Sequence, residues 1–376
     1  MNVYLDNAAT TPIDPLVIEE MIPVLRDVYG NPSSIHTHGR VARSVIEKAR
    51  KQIAAYFNAS PSEFFFTSGG TEADNMILRT AVEDLAVKRI ITSPLEHHAV
   101  LHTAEALALK GVSMETVKVN QKGQVDLSHL EELLKEDNSK TLVSLMHANN
   151  EIATLLPLKR VGELCKEYNA YFHSDTVQTM GHYAFDFEEL NIHFATCSAH
   201  KFHGPKGIGF LYLNSDVKVN PMITGGAQER NMRAGTENIY GIVGLAKALE
   251  LAYHNLEGHQ RHIQSLKSYM IKRLKDEVQG ISFNGDSASE DSLYTVLSVC
   301  FPSSDMDEMF LYNLDIEGIS ASGGSACSSG TNIGSHVLTS IGVPMDRPSV
   351  RFSFGRFNTI ADIDKCIEVL KRVYDK

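Results

Sequence analysis

Short apolar runs alternate with helical patterns along the first two thirds of the chain. The runs that predict strands are residues 3–5, 64–67, 89–92, 142–146, 170–173, 193–195 and 208–212. Between several of them apolar residues recur every third or fourth position, for example every fourth residue from Val41 to Phe57, and this spacing predicts amphipathic helices. Repeated strand–helix units are typical of an α/β domain with a mostly parallel sheet and helices on both faces.

Polar residues follow these predicted strands. In sheets of this kind the carboxyl ends of the strands form the ligand crevice. The residues that fall at or just beyond predicted strand ends are Thr71, His97, Asn150, Asp175, Gln178, His200 and Lys201. Although they are far apart in sequence, the predicted topology places them at one edge of the sheet.

A glycine turn, Ser68-Gly69-Gly70-Thr71, joins one of the strands to a helical pattern. Backbone N–H groups and the positive end of the helix dipole make such a junction suitable for an anion, most naturally phosphate. Glycine at this position also fits ordinary turn geometry. The motif by itself leaves both interpretations open.

A lysine, Lys201, follows another strand within Ser198-Ala199-His200-Lys201 and precedes a second glycine turn. This position could present an amine to a carbonyl-containing cofactor. A lysine at its solution pKa of about 10.4 is almost wholly protonated at neutral pH, so a nucleophilic role requires a lowered pKa or an imine. The alternative is a surface lysine in a tight turn.

The last third of the chain predicts a smaller α+β region. Helical spacing dominates residues 245–274, and strand-like runs follow at residues 296–301 and 350–354. The boundary falls near residues 255–258. We therefore predict a large domain of residues 14–255 and a small domain of residues 1–13 and 256–376.

A Ser/Gly-rich segment in the small domain, residues 319–331, contains Cys327 and little that could be buried. We expect this segment to be exposed and mobile. An exposed thiol with a pKa of about 8.5 is a few per cent thiolate at neutral pH and a strong nucleophile. Cys197 and Cys300 lie in strand-like runs and are predicted to pack as small hydrophobic residues. The alternative for Cys327 is an incidental surface cysteine.

Arg351 lies in the last strand-like run. Its guanidinium could form a structural ion pair. It could equally hold a substrate carboxylate through two parallel hydrogen bonds.

Composition and charge narrow the class of protein. The chain has 376 residues, 43% of them hydrophobic, and a formal net charge of −11, which disfavours nucleic acid or an anionic membrane as the main partner. No apolar run reaches the roughly 20 residues of a membrane span, and the first residues lack the regions of an export signal. Five cysteines at irregular spacing suit a reducing compartment. We expect a cytoplasmic protein.

Five motifs, in this order along the chain, resemble those of the pyridoxal-phosphate-dependent cysteine desulfurases of the bacterial housekeeping and nitrogen-fixation type, within the class V aminotransferases. The motifs are Ser68-Gly69-Gly70-Thr71-Glu72, Asp175-x-x-Gln178, Ser198-Ala199-His200-Lys201, Arg233-Ala234-Gly235-Thr236 and Ser325-Ala326-Cys327. The likeness extends from Leu5 to Ser353. It implies the aminotransferase-like fold (fold type I) and a homodimer with active sites near the subunit interface. It implies no metal.

The resemblance assigns roles in binding pyridoxal 5'-phosphate. Lys201 is expected to hold the cofactor as a Schiff base, Asp175 to pair with its pyridinium nitrogen, and His97 to stack on its ring. At the ring oxygen the implied contacts are Gln178 and Asn150. At the phosphate they are Gly70, Thr71, Ser198 and His200 of the same subunit. Thr236 is implied to reach the phosphate from the partner subunit. Asn150 and Arg351 are implied in binding the substrate, and Arg351 in holding its carboxylate.

The implied activity is the conversion of L-cysteine to L-alanine, with sulfur transferred to Cys327 as a persulfide. Cys327, Lys201 and His97 are the implied catalytic residues. The sulfur would pass to acceptor proteins such as an iron–sulfur scaffold, or to other sulfur-containing cofactors. The alternatives are a selenocysteine lyase or an aminotransferase of the same fold, and a scaffold that has lost catalysis. One departure from the family is Ala153, where glycine is usual.

Overall fold

The computed structural model describes residues 2–221, 223–303, 309–323, 334–344 and 346–374, so Cys327 and residues 324–331 of the segment predicted to be exposed lie outside the described residues. In the described part of that segment the prediction is wrong for Ile319, which lies in a short strand, and for Ser322, because both side chains are buried. The strands are β1 (Val3–Tyr4), β2 (Phe64–Thr67), β3 (Arg89–Thr92), β4 (Ser113–Thr116), β5 (Thr141–Ser144), β6 (Tyr171–Asp175), β7 (Phe194–Ser198), β8 (Gly209–Leu213), β9 (Ser282–Phe283), β10 (Val296–Cys300), β11 (Ile319–Ser320) and β12 (Ser349–Ser353). The helices are α1 (Pro15–Asp27), α2 (Thr37–Ala55), α3 (Gly70–Asp84), α4 (His98–Ala108), α5 (Leu127–Glu136), α6 (Leu158–Glu167), α7 (Gln228–Asn231), α8 (Ile239–His254), α9 (Leu256–Glu277), α10 (Phe310–Ile316), α11 (His336–Ser340) and α12 (Ile360–Tyr374).

The central sheet has seven strands in the order β2-β8-β7-β6-β5-β3-β4. Neighbours from β7 to β4 run parallel, whereas β8 runs antiparallel to both β7 and β2. The link from β7 to β8 is too short for the helical crossover that a parallel neighbour requires. The predicted α/β class with a mostly parallel sheet is confirmed. The apolar pattern missed β4, whose residues are all at least partly exposed.

Alternate residues of the central strands enter two separate cores. Phe64 and Phe66 pack with buried residues of α1, α2 and α8, whereas Phe65 packs with those of α3 and α4. Successive side chains of a strand point to opposite faces of the sheet, so an entirely apolar strand requires cover on both sides. This explains why the strands appear in the sequence as continuous apolar runs.

The apolar face predicted for α2 is wrong at Val41, which is 46% exposed. The buried apolar side chains of α2 include Ala42, Ile46, Ala49 and Ile53. A strict four-residue spacing drifts by about 40° per step around a helix with 3.6 residues per turn. The buried stripe therefore mixes three- and four-residue steps.

A third core lies among the last part of the chain and its first strand. It contains Val3 and Leu5 together with buried residues of α9, β10, α10, β12 and α12. β1 pairs in parallel with β11, while β9, β10 and β12 form an antiparallel sheet. The division at residues 13/14 and 255/256 stays a prediction.

Within the described part of the chain, no helix combines the length and the apolar character that crossing a membrane requires.

Candidate active site

A cavity of about 280 Å³ lies at the carboxyl edge of the central sheet, where the segments after β2, β3, β5, β6 and β7 meet. The structure brings together there most of the residues singled out in the sequence. Those that line the cavity are Gly70, Thr71, His97, Asn150, Asp175, Gln178, Ser198, His200, Lys201 and Arg351.

Lys201 ends a short 3-10 turn, Ala199–Lys201, that follows directly on β7. Its Nζ donates hydrogen bonds to the carbonyl oxygens of Ala8 at 2.6 Å and Ala9 at 2.9 Å. The segment after β1 therefore lies across the site and holds the amine in the cavity. Carbonyl acceptors orient an ammonium group without forming an ion pair with it.

Asp175 is the last residue of β6 and is only 6% exposed. Its carboxylate accepts a hydrogen bond from the backbone N–H of Val177 at 2.9 Å. Burial raises the pKa of Asp175 to about 7, and the nearby carboxylate of Asp74 adds to this rise. A buried carboxylate of this kind favours a cationic partner.

Gln178 lies one turn beyond Asp175 and donates from Nε2 to the carbonyl oxygen of Ala8 at 3.1 Å. Ala8 thus accepts from both Lys201 and Gln178. The amide and the amine are therefore held on the same piece of backbone.

His97 is the N-cap of α4, and its Nδ1 accepts from the backbone N–H of Ala99 at 3.1 Å. Burial lowers the pKa of His97 to about 4, with the positive charge of Lys201 as the next cause. The imidazole is therefore neutral at physiological pH. A neutral ring that lines the cavity can stack on a flat ligand without carrying a charge into a buried site.

The opposite end of the cavity is the N-terminus of α3, where no side chain caps the helix. The N-cap is Gly69, with φ +150°, and a Cβ added at Gly70 would lie 2.8 Å from Cγ2 of Val177. Backbone N–H groups without a side-chain acceptor, next to a space that only glycine leaves open, form a cradle for an anion. The side chains of Thr71, Ser198 and His200 line the same region.

His200 is held by a hydrogen bond of 3.1 Å between its Nδ1 and Oγ1 of Thr10. Burial lowers its pKa to about 4, helped by the charges of Lys201 and Lys206. A neutral His200 can donate only one N–H to an anion.

Arg351, on β12, is 2% exposed. One terminal nitrogen donates to the carbonyl oxygen of Asn150 at 3.0 Å. The other donates to Oδ1 of Asp6 at 3.0 Å and to Oγ of Ser322 at 2.9 Å. Its Nε is buried without a hydrogen-bond partner among the described residues. Both interpretations of Arg351 find support, because it forms an ion pair and still has a donor to offer.

One predicted residue is not in this cavity: Thr236 is exposed and does not line it within one chain. Cys327 lies outside the described residues. The described cysteines, Cys165, Cys197, Cys300 and Cys366, are all buried and unpaired. The prediction that Cys197 and Cys300 pack as small hydrophobic residues is confirmed.

Sequence reasoning missed several residues of the cavity wall. They are Ala8, Ala9, Asp74, Glu96, His98, Met146, Glu151, Val177 and His336. Asp74 lies one turn after Thr71 and therefore on the same side of α3, but the spacing alone does not show that this side faces a cavity. Glu96 directly precedes His97 and belongs to the same strand end. His336 carried no local signal, since it reaches the site only through tertiary packing.

The family model that describes class-V aminotransferases matches residues 3–366. The chain is 42% identical over 378 residues to the cysteine desulfurase IscS of Dictyoglomus turgidum, covering 100% of this chain and 95% of the relative. A solved structure of a NifS-like protein superposes with a TM-score of 0.91 at 39% identity, covering 100% of both chains. The structure of SspA in complex with cysteine has a TM-score of 0.82 at 30% identity, covering 95% of this chain and 100% of SspA.

These matches extend along essentially the whole chain. The predicted fold and the predicted resemblance are both confirmed. The chain therefore belongs to the class-V aminotransferase family, in the group of cysteine desulfurases that its motifs resemble.

Proposed function

We propose that this protein is a cysteine desulfurase that uses pyridoxal 5'-phosphate on Lys201 and transfers the sulfur of L-cysteine to Cys327. The balanced reaction is L-cysteine plus the Cys327 thiol giving L-alanine plus the Cys327 persulfide. The observation that carries the proposal is the cavity in which Lys201, Asp175 and the uncapped N-terminus of α3 lie together. A solved relative, SspA, binds cysteine.

The cavity fits the cofactor group by group. The amine of Lys201 suits an aldehyde, the buried carboxyl of Asp175 suits a ring nitrogen that carries a proton, and the glycine cradle at α3 suits a phosphate. His97 provides a neutral ring surface. When bound, the cofactor withdraws electrons from the Cα of an amino-acid substrate and so makes its proton acidic.

The protein's own residues then divide the work. Arg351 holds the substrate carboxylate, and its unpaired buried Nε is the donor available for this contact. The neutral amine of Lys201 takes the Cα proton and later returns a proton to the product. His97 and the backbone of residues 8–9 confine the substrate and exclude water.

Cys327 is the proposed sulfur acceptor. Its thiolate attacks the sulfur of the substrate, so that a sulfur–sulfur bond forms as the substrate's carbon–sulfur bond breaks. The electron pair of the broken bond stays on the carbon fragment, which takes up protons and leaves as alanine. No external oxidant is needed. Because the described cysteines are buried and the pKa values of Cys165, Cys197 and Cys366 are raised by burial, none of these three competes as a thiolate.

The decisive experiment is mass spectrometry of the intact protein after a pulse of L-cysteine, with peptides mapped in the absence of reductant. Added sulfur on the Cys327 peptide together with released alanine is the expected result. Alanine without sulfur on that peptide would remove Cys327 from its role. If neither product forms in protein that carries the cofactor on Lys201, the aminotransferase alternative takes its place.

We further propose a homodimer. Apolar side chains stand exposed on α1, on the following loop and at the start of α8, and they are Leu16, Ile22, Leu25, Tyr29, Ile35 and Tyr240. Exposed apolar side chains on neighbouring elements suit contact with a second copy of the chain. Thr236 lies beside this patch in sequence, which supports its reaching the phosphate site of the partner.

The proposal also covers the two domains, the cellular location and the sulfur acceptor. Residues 14–255 form the cofactor domain, and residues 1–13 with 256–376 form the small domain that carries Cys327. The unpaired state of the described cysteines supports a reducing, cytoplasmic location. Sulfur passes from Cys327 to an acceptor protein such as an iron–sulfur scaffold.

A further inference from the structure

A second aspartate lies beside Asp175 at the cavity. Asp74, in the first turns of α3, is 1% exposed and lines the cavity wall. One carboxylate oxygen of Asp74, one of Asp175 and a ring nitrogen of His97 all lie within 4.8 Å of one another. Nothing in the motifs assigned a role to this side chain.

Asp74 belongs to a buried network of side-chain hydrogen bonds beneath the cavity. Oγ1 of Thr196 donates to Oδ1 of Asp74 at 2.9 Å and lies 3.2 Å from Nε2 of His173. Nδ1 of His173 lies 2.8 Å from Oγ of Ser144. All four side chains are buried, Asp74 on α3 and the other three on strands of the central sheet.

The hydroxyl proton of Thr196 determines which groups donate and which accept in this hydrogen-bond network. Because the hydroxyl of Thr196 donates its one proton to Asp74, it must accept from Nε2–H of His173. Nδ1 of His173 then accepts from Ser144. Each group is satisfied with His173 neutral, and burial lowers the pKa of His173 to about 4.

Two further carboxyl groups, those of Asp175 and Glu96, lie near Asp74. The titratable groups that face it are Asp175 and His173 on β6, His97 and Glu96 before α4, and Lys201 after β7. The amine of Lys201 is already held by Ala8 and Ala9. Two buried carboxylates at this separation cannot both ionise without a large electrostatic cost.

Burial raises the pKa of Asp74 to about 7 and that of Asp175 to about 7, so the pair holds a proton near neutral pH. The ring nitrogen of the cofactor needs an ionised partner at Asp175. That condition is met only when the shared proton rests on the other member of the pair.

We propose that Asp74 is a positioning residue that holds the proton of the Asp74–Asp175 pair, and so leaves Asp175 as the carboxylate that faces the ring nitrogen. The proposal rests on the proposed cofactor, yet the protonation of Asp74 can be observed directly. Asp74 acts through Asp175 and takes no part in breaking bonds.

The test is infrared difference spectroscopy of the cofactor-loaded protein and its Asp74→Asn variant near neutral pH. The expected result is the loss of one carbonyl band of a protonated carboxylic acid, with no loss of a carboxylate band. Loss of a carboxylate band would overturn the proposal, because Asp74 would then carry the charge. Protein without the visible absorbance of a lysine-bound cofactor would contradict the proposed function, and the infrared result would still report on Asp74.

A pH titration of the visible absorbance of the loaded protein gives a second readout. Wild-type protein should show a titration step above neutral pH as Asp74 ionises, and Asp74→Asn should lack it. Thr196→Val keeps the carboxyl but removes the hydrogen bond that stabilises its ionised form, so the step should move to higher pH. The same step in all three proteins, at one pH, would exclude Asp74 as its source.

Discussion

Nζ of Lys201 and the carbonyl oxygen of Ala8 lie 2.6 Å apart, although 193 residues separate them in the chain. This contact brings the segment after the first strand over the carboxyl edge of the central sheet. Gln178 donates to the same oxygen. Ala8 has no polar side chain, yet its backbone carbonyl oxygen positions both Lys201 and Gln178.

Replacing Lys201 by alanine should abolish both cofactor attachment and turnover. The amine is the attachment point and the base, so we expect loss of the visible absorbance and a fall in alanine formation of at least about a hundredfold. Absorbance spectra and an assay of alanine formation check this. Lys218→Ala, at an exposed position, is the matched control and should keep both signals. Retained absorbance in Lys201→Ala would contradict the assignment.

Replacing Arg351 by lysine separates its two possible roles. Lysine keeps the charge but has no donor at the position of Nε, the nitrogen that Arg351 has available for the substrate carboxylate, so kcat/KM for L-cysteine should fall by about ten- to a hundredfold. The preference for L-cysteine over cysteamine, which lacks the carboxylate, should shrink in parallel. Arg347→Lys is the control. If stability falls while the preference stays, Arg351 serves only its ion pair with Asp6.

Acid should destabilise the fold through buried neutral histidines, of which His203 offers the clearest test. Burial lowers its pKa to about 3, with the charge of Arg356 adding to the effect. The folded-state pKa lies below the unfolded value of about 6.5, so the stability it supports is present above pH 6.5 and is lost as the pH falls toward 3.

His203→Asn measures this contribution. Asparagine cannot be protonated in this range, tolerates the φ of +67° at this position, and can still donate to the carbonyl oxygen of Pro12. The stability advantage of wild type should shrink by about 2 kcal/mol between pH 6.5 and pH 5, measured by urea unfolding. His254→Asn controls for losing an exposed imidazole. A gap that does not change with pH would contradict the prediction.

Ala153 should tolerate glycine but not valine. It is fully buried and has φ +63°, a conformation that costs a residue with a Cβ about 1–2 kcal/mol. Glycine relieves this cost but loses a buried methyl group of about 0.8 kcal/mol and some chain entropy, so the free energy of unfolding should change by less than about 1 kcal/mol. Valine should destabilise the fold by at least about 2 kcal/mol.

Urea unfolding of Ala153→Gly and Ala153→Val measures both changes in the free energy of unfolding. Ala148, buried in the same cluster without a left-handed backbone, is the control position. Ala148→Gly has no strain to relieve and should destabilise the protein. A strong loss in Ala153→Gly would mean that the methyl group matters more than the strain.

The positions of Lys201, Asp175 and His97 could be predicted because each follows an apolar run that is long enough to cross a sheet. Strand ends can be read from local spacing, and parallel strands share one carboxyl edge. The sequence also showed that Ala153 stands where the family usually has glycine. In the structure Ala153 has a left-handed backbone conformation, which glycine adopts more easily.

Asp74 and the error at Val41 show where local spacing stops being informative. A helix presents its side chains in all directions, and only the packing of α2 and α3 decides which of them face a core or a cavity. Asp74 faces the cavity and Val41 faces solvent for the same reason. The route of residues 8–9 over Lys201 depends on contacts across most of the chain.

The sequence by itself determined the α/β class, most of the strands along the chain and the chemical groups at their ends, because these depend on neighbours a few residues apart. The tertiary structure alone decided which groups are buried together. It therefore decided which are charged, since the ionisation of Asp74, Asp175 and His97 depends on desolvation and on charges brought in from distant segments.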